Sequence, residues 1–166
     1  MNAVAVKVSR PARPAAPPMP GFESLDRDHR EMLKVLDDFE SLLAHVGENG
    51  PDSVAKASAK HIQQFFSGAA RQHHAEEERL IFPGLLASGD AELVQHVKRL
   101  QQDHGWLEED WIELSTQIEA IANGYSWYDL NSLQHALPVF SALYREHIAL
   151  EESIVYPAAR RQVRAA

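Results

Sequence analysis

Apolar residues recur at three- and four-residue intervals through most of the chain, beginning with Leu25, Met32, Leu33, Leu36, Phe39, Leu42, Leu43 and Val46. That spacing draws one stripe along an α-helix, and Gly47 with Gly50-Pro51 supplies its stop. A second helix is predicted over about 52–87, carrying Val54, Ile62, Phe65, Phe66, Ala69, Leu80 and Ile81, with Pro83 expected to kink or close it. Ser88-Gly89-Asp90 reads as a turn and N-cap. The helix that follows carries Leu93, Val97, Leu100, Leu107, Trp111, Leu114, Ile118 and Ile121, and Asn123-Gly124 stops it. A fourth is predicted from Asp129 onward through Leu133, Val139, Leu143, Ile148, Ile154 and Val155, with a kink at Pro138. No window alternates with period two long enough for a strand. Four long helices with short connections predict an all-α fold, an antiparallel up-down four-helix bundle over residues 23–162.

The helices repeat in pairs. Residues 60–83 (KHIQQFFSGAARQHHAEEERLIFP) align without gaps to 134–157 (QHALPVFSALYREHIALEESIVYP) with nine identities, among them His73/His147, Glu77/Glu151 and Pro83/Pro157. A shorter echo links Leu25, Asp28 and His29 to Leu100, Asp103 and His104. Two pseudo-repeated helix pairs facing each other across a pseudo-twofold axis follow from these registers. Periodicity alone produces scattered apolar matches; it does not align His, Glu and Pro.

Composition narrows the chemistry. With 166 residues and 45% hydrophobic content, the chain can build one sizeable core. A net charge of −8 speaks against a nucleic-acid partner, and the absence of cysteine excludes disulfides, iron–sulfur clusters and thiol catalysis. No apolar run approaches a membrane span or a signal peptide, so a soluble, cytoplasmic protein without a membrane partner is expected. Residues 1–22, which hold five of the nine prolines, read as a flexible Pro/Ala-rich arm. The unusual count is histidine: nine residues.

Four of the nine are followed by Glu at i+4, where chance pairing predicts about one: His73/Glu77, His74/Glu78, His104/Glu108 and His147/Glu151. A separation of i to i+4 puts both side chains on one helix face. Assembling the bundle brings His29, His73, His104 and His147 together, one per helix, with Glu77 and Glu151 one turn further along two of them. Imidazole and carboxylate donors suit iron, manganese or zinc, and two carboxylates able to bridge suit a pair of metals. Glu108, one turn after His104, is a candidate seventh ligand. His74/Glu78 has no partner in register and reads as a solvated face. His45, His61, His96 and His135 lie too far along their helices to reach the same centre. Asp28 and Asp103 are weak partners for the adjacent histidines, because neighbouring residues point apart on a helix. Tyr144, three residues before His147, could offer a phenol near the metal but reads as core packing or an interface, and Trp106, Trp111 and Phe66 read as core aromatics that could also wall a pocket.

The segments DHREML (from Asp28), HHAEEERLIFP (from His73), QDHGWLEEDW (from Gln102) and HIALEESIVYP (from His147) resemble the hemerythrin-like, or HHE cation-binding, family over about residues 23–160. The twice-occurring His-x-x-x-Glu-Glu…Pro is the most specific element of the resemblance. The Glu-x-x-His motif of the ferritin-like di-iron bundles is missing. The resemblance implies a non-haem centre of two iron ions, oxo- or hydroxo-bridged, with His29, His73, Glu77, His104, His147 and Glu151 as ligands and both glutamates bridging. Oxygen-carrying members have a further histidine where this chain has Glu108. A carboxylate there would favour the ferric state and disfavour simple reversible oxygen carriage. Three functions follow as expectations: binding or sensing of O2, NO or iron-redox status; redox turnover of peroxide or NO; or a metal-stabilised domain without gas chemistry. A separate protein partner remains open.

Overall fold

Helix caps in the sequence set the boundaries of the bundle. The computed structural model describes residues 21–165, so the predicted arm, all but its last two residues, lies outside the described residues. Helix α1 runs Phe22–Asn49, passes through Gly47, and stops at Gly50, whose φ of 67° only glycine adopts readily. Helix α2 covers 53–86 and α3 covers Ala91–Ala122. Helix α4 covers 130–165. Asp52, Asp90 and Asp129 are the N-caps of α2, α3 and α4, each side chain accepting from a backbone N–H of the first turn. Among the described residues there is no strand, and α1 and α3 each pack against both α2 and α4, as an up-down bundle requires.

Neither Pro83 nor Pro157 ends its helix. Each follows a π-turn, Glu77–Ile81 in α2 and Glu151–Val155 in α4, where the N–H of Phe82 bonds the Glu77 carbonyl and that of Tyr156 bonds the Glu151 carbonyl, five residues back. Proline cannot donate to the carbonyl four residues before it and its ring crowds that carbonyl. Widening the turn by one residue relieves the clash and re-aims the side chains that start it. A third π-turn, Phe65–Ala69, lies in the first half of α2, and α4 runs through Pro138 uninterrupted.

The apolar stripes do not form one continuous core. A large cluster that includes Met32, Phe39, Phe66, Trp111, Phe140 and Ile148 fills one end of the bundle. A smaller one, with Leu25, Phe82, Leu85, Leu100, Val155 and Tyr156, fills the other. Phe66 is the hub of the larger, with ring centroids of Trp111, Phe140 and Tyr144 at 5.1, 5.3 and 5.5 Å. Aromatic pairs of this kind add about 0.5–1.5 kcal/mol each beyond their burial. Four residues read as part of the stripes, Val54, Ala69, Val139 and Ile154, face outward instead. Between the two clusters every helix contributes a buried polar residue: His29 on α1, His73 and Glu77 on α2, Asp103 and His104 on α3, His147 and Glu151 on α4.

Candidate metal centre

Two imidazole pairs meet in that polar layer. The Nε2 atoms of His29 and His73 stand 3.1 Å apart, and those of His104 and His147 stand 3.2 Å apart. The carboxylates of Glu77 and Glu151, both fully buried, lie between the pairs. Glu77 turns Oε1 to His73 and Oε2 to His104, each 3.3 Å from the ring Nε2. Glu151 turns Oε2 to His29 and Oε1 to His147, each at 3.0 Å. Every imidazole pair therefore receives one oxygen from each glutamate, an arrangement of two N2O2 sets joined by two bridging carboxylates. The π-turns begin at these two glutamates, so the backbone irregularity and the donors coincide.

Behind each ring stands another carboxylate, always from a different helix. His29 Nδ1–H donates to Glu152 at 3.0 Å, His73 Nδ1–H to Asp28 at 3.3 Å and His104 Nδ1–H to Glu78 at 2.9 Å, while Asp103 faces His147 Nδ1 at 3.6 Å. A carboxylate accepts only, so at His29, His73 and His104 a proton is held on Nδ1 and Nε2 is the nitrogen left for a metal, whereas Asp103 makes no hydrogen bond to His147 Nδ1. The pattern obeys the repeat: Glu78 matches Glu152 and Asp28 matches Asp103.

Electrostatics show what the layer does without a cation. Burial opposes charge on His73, but Glu77, Glu151 and Asp28 outweigh it and raise the imidazole to about 9. His147 is likewise raised to about 10, burial being overcome by Glu151, Asp103 and Glu77. Burial opposes ionisation of Glu77, yet His104 and His73 hold its carboxyl well below the usual range. Protons thus neutralise the buried anions when no metal does. The balance is incomplete: Glu77 Oε2 and both Glu151 oxygens are buried without a hydrogen-bond partner, as are the Nε2 of His74 and the Nδ1 of His147. Orphaned acceptors in a buried N/O donor set are what divalent cations satisfy. The donor atoms of His29, His73, Glu77 and Glu151 lie within 4.8 Å of one another, and so do those of His74, Glu77, His104 and His147.

Six of the seven ligands proposed from sequence come together here. Glu108 does not. Its side chain is 48% exposed and accepts an ion pair from Arg71 on α2 at 2.5 Å, so the expected carboxylate-rich shell loses this member. The solvated reading of His74 is also corrected. Its ring stacks on His104 at 4.1 Å with Nε2 enclosed, while Glu78 serves His104 and Gln101. Asp28 and Asp103 ignore their sequence neighbours, as expected, but serve histidines on the facing helix. His45, His61, His96 and His135 lie outside the cluster; His45 bonds Asp52 at 2.9 Å. Tyr144, Trp111 and Phe66 belong to the large core cluster and also border a cavity of about 310 Å³ that reaches His74 and His104, whereas Trp106 is exposed.

One site residue went unread. The Tyr156 hydroxyl donates to Glu77 Oε1 and lies 3.2 Å from His29 Nε2 and 3.4 Å from His73 Nε2, while its ring stacks on His29. Burial and the charges of Glu77 and Glu151 raise the phenol far above its ordinary value, so it keeps its proton. Its counterpart in the repeat is Phe82. A hydroxyl added at one of two matched aromatic positions was the available signal.

Comparison with known proteins gives three findings. The family model of the hemerythrin HHE cation binding domain matches residues 21–159. An uncharacterized protein of Haemophilus influenzae is 26% identical over 133 residues, covering 80% of this chain and 75% of the relative. No solved structure matches.

Proposed function

Since the chain belongs to the hemerythrin HHE cation-binding family, we propose that it is a non-haem di-iron protein that binds or senses O2, NO or the iron-redox state at the His/Glu layer. One observation carries this reading: two fully buried glutamates each offer one oxygen to each of two converging imidazole pairs. His29 and His73 would hold one iron and His104 and His147 the other, with Glu77 and Glu151 bridging. Bound iron supplies the one-electron chemistry and the affinity for small diatomic ligands that no side chain here has. The protein's own residues do the rest. The carboxylates behind the rings fix the imidazoles of His29, His73 and His104, the two apolar clusters exclude bulk water from both sides, and the buried glutamates supply the negative charge that favours a cation over protons.

A second reading, turnover of peroxide or NO, is supported by Tyr156. Its protonated hydroxyl stands beside the His29/His73 pair, a positioned proton donor that a simple metal-storage site does not require. The discriminating experiment measures metal content and the visible spectrum of the purified protein before reduction, after it, and on return to air. Two irons per chain and a spectrum that cycles with oxygenation and deoxygenation support binding. Irreversible oxidation with rapid loss of added peroxide supports turnover. A colourless protein carrying only zinc would sink both readings.

Among the described residues no helix is long and apolar enough to cross a membrane.

A further inference from the structure

The two halves of the centre are matched by the repeat but differ at two positions. Where one half has His74, the repeat places Ile148, and where the other has Tyr156, it places Phe82. His74 is therefore an imidazole available to one metal only. Resting on the dinuclear reading above, we infer that His74 is a third imidazole ligand of the metal held by His104 and His147.

The geometry supplies the reasons. Nε2 of His74 is enclosed and has no hydrogen-bond partner, a condition that is costly unless something satisfies it. A ring nitrogen of His74 lies within 4.8 Å of donor atoms of Glu77, His104 and His147 together. The ring is not free to turn to solvent. It stacks on His104 with an interplanar angle of 19°, meets His147 edge-on at 5.4 Å, and is backed by Tyr144 at 5.8 Å. The carboxylate one turn along, Glu78, is committed to His104 and Gln101 and leaves His74 no polar partner of its own. Adding His74 gives one metal three nitrogens and the other two, with one oxygen from each glutamate for both. The two metals then differ in affinity, and a chelator removes the metal of the His29/His73 pair first.

His74 lines the cavity of about 310 Å³ bordered by α2, α3 and Tyr144 of α4, whose lining also includes the exposed Arg71 and Glu108. Free imidazole can enter that space, so the lost ligand can be returned to a truncated variant. The test titrates Fe(II) anaerobically against a competing chelator and counts iron per chain in three proteins, with helix content checked by circular dichroism. Wild type is expected to hold two irons. His74→Phe keeps the stacked ring without its nitrogen and is expected to hold one iron as wild type does, with the other weakened by more than about tenfold. His74→Ala is expected to behave like the Phe variant until millimolar imidazole restores the second iron. A purely structural role for His74 predicts no rescue. Two irons bound to His74→Phe with wild-type affinity, or a His74→Ala deficit that imidazole leaves unchanged, overturns the inference. If the Phe variant fails to fold, the imidazole arm decides. Fewer than two irons in wild type defeats the dinuclear reading itself, and that failure shows in the unmutated protein.

Discussion

Replacing Glu77 by glutamine keeps its volume and one oxygen but removes a unit charge and turns the other oxygen into an N–H donor. Glu77 is fully buried, and its two oxygens each stand 3.3 Å from an imidazole Nε2 of a different pair. The amide therefore presents a donor where one metal needs an acceptor, and halves the carboxylate charge facing both. At a separation of about 4 Å and an effective dielectric near 20, one unit charge attracts a divalent cation by about 8 kcal/mol, so even half of that is roughly three decades of affinity for the metal that loses its oxygen. In wild type, free metal at about 100 times its dissociation constant adds about 2.7 kcal/mol of stability per site. For a domain of this size that corresponds to a rise in Tm of about 5–10 °C per site. Glu77→Gln should abolish at least one such increment at the same free metal concentration. The assay is thermal unfolding in buffered metal and in chelator, followed by circular dichroism, with metal content measured in parallel. A Glu77→Gln protein that keeps both metals and the whole metal-dependent rise in Tm refutes the bridging assignment.

Three further outcomes are expected. In chelator, stability should fall steadily from about pH 6.5 to about pH 10. His73 and His147 are raised to about 9 and about 10 in the folded chain, so their contribution is complete below the unfolded value and is lost as pH climbs through the folded ones; a flat profile of Tm against pH would remove this account of the metal-free layer. Asp28→Asn turns the acceptor behind His73 into an ambiguous amide and should weaken metal binding by about 10–100-fold with the helix content intact, as read by chelator competition. Glu108→Ala should leave metal content unchanged and cost under about 1 kcal/mol, because an exposed ion pair with Arg71 is all it loses; loss of a metal in this variant would return Glu108 to the ligand set.

The sequence displayed the donors more clearly than the structure around them. His29, His73, His104 and His147 could be placed together because helical spacing and the internal repeat constrain them independently, and Glu77 and Glu151 followed from their register. His74 was misjudged because the run Glu76-Glu77-Glu78 makes any nearby histidine pair by default. Only the packing of α2 against α3 shows that its ring lies inside. The partners of the carboxylates behind the rings were missed for a related reason. Asp28 reaches α2 and Asp103 reaches α4, and no one-dimensional spacing encodes a contact between helices. Pro83 was legible as an irregularity but not as a π-turn, because proline forbids one hydrogen bond without choosing between ending a helix and widening it, and Pro157 was legible only as its match in the repeat.

The division of the core into two apolar clusters has a mechanical consequence. On each helix a polar residue separates the segment belonging to the larger cluster from the segment belonging to the smaller. The smaller end gathers the start of α1, the end of α2, the start of α3 and the end of α4, and its link to the rest of the bundle crosses the histidine–glutamate layer. A cation pair seated there would act as a rivet between two unequal blocks. Loading the metal would turn a bundle able to fray at its small end into one that opens as a whole, so the rate at which that end breathes would report the state of the centre.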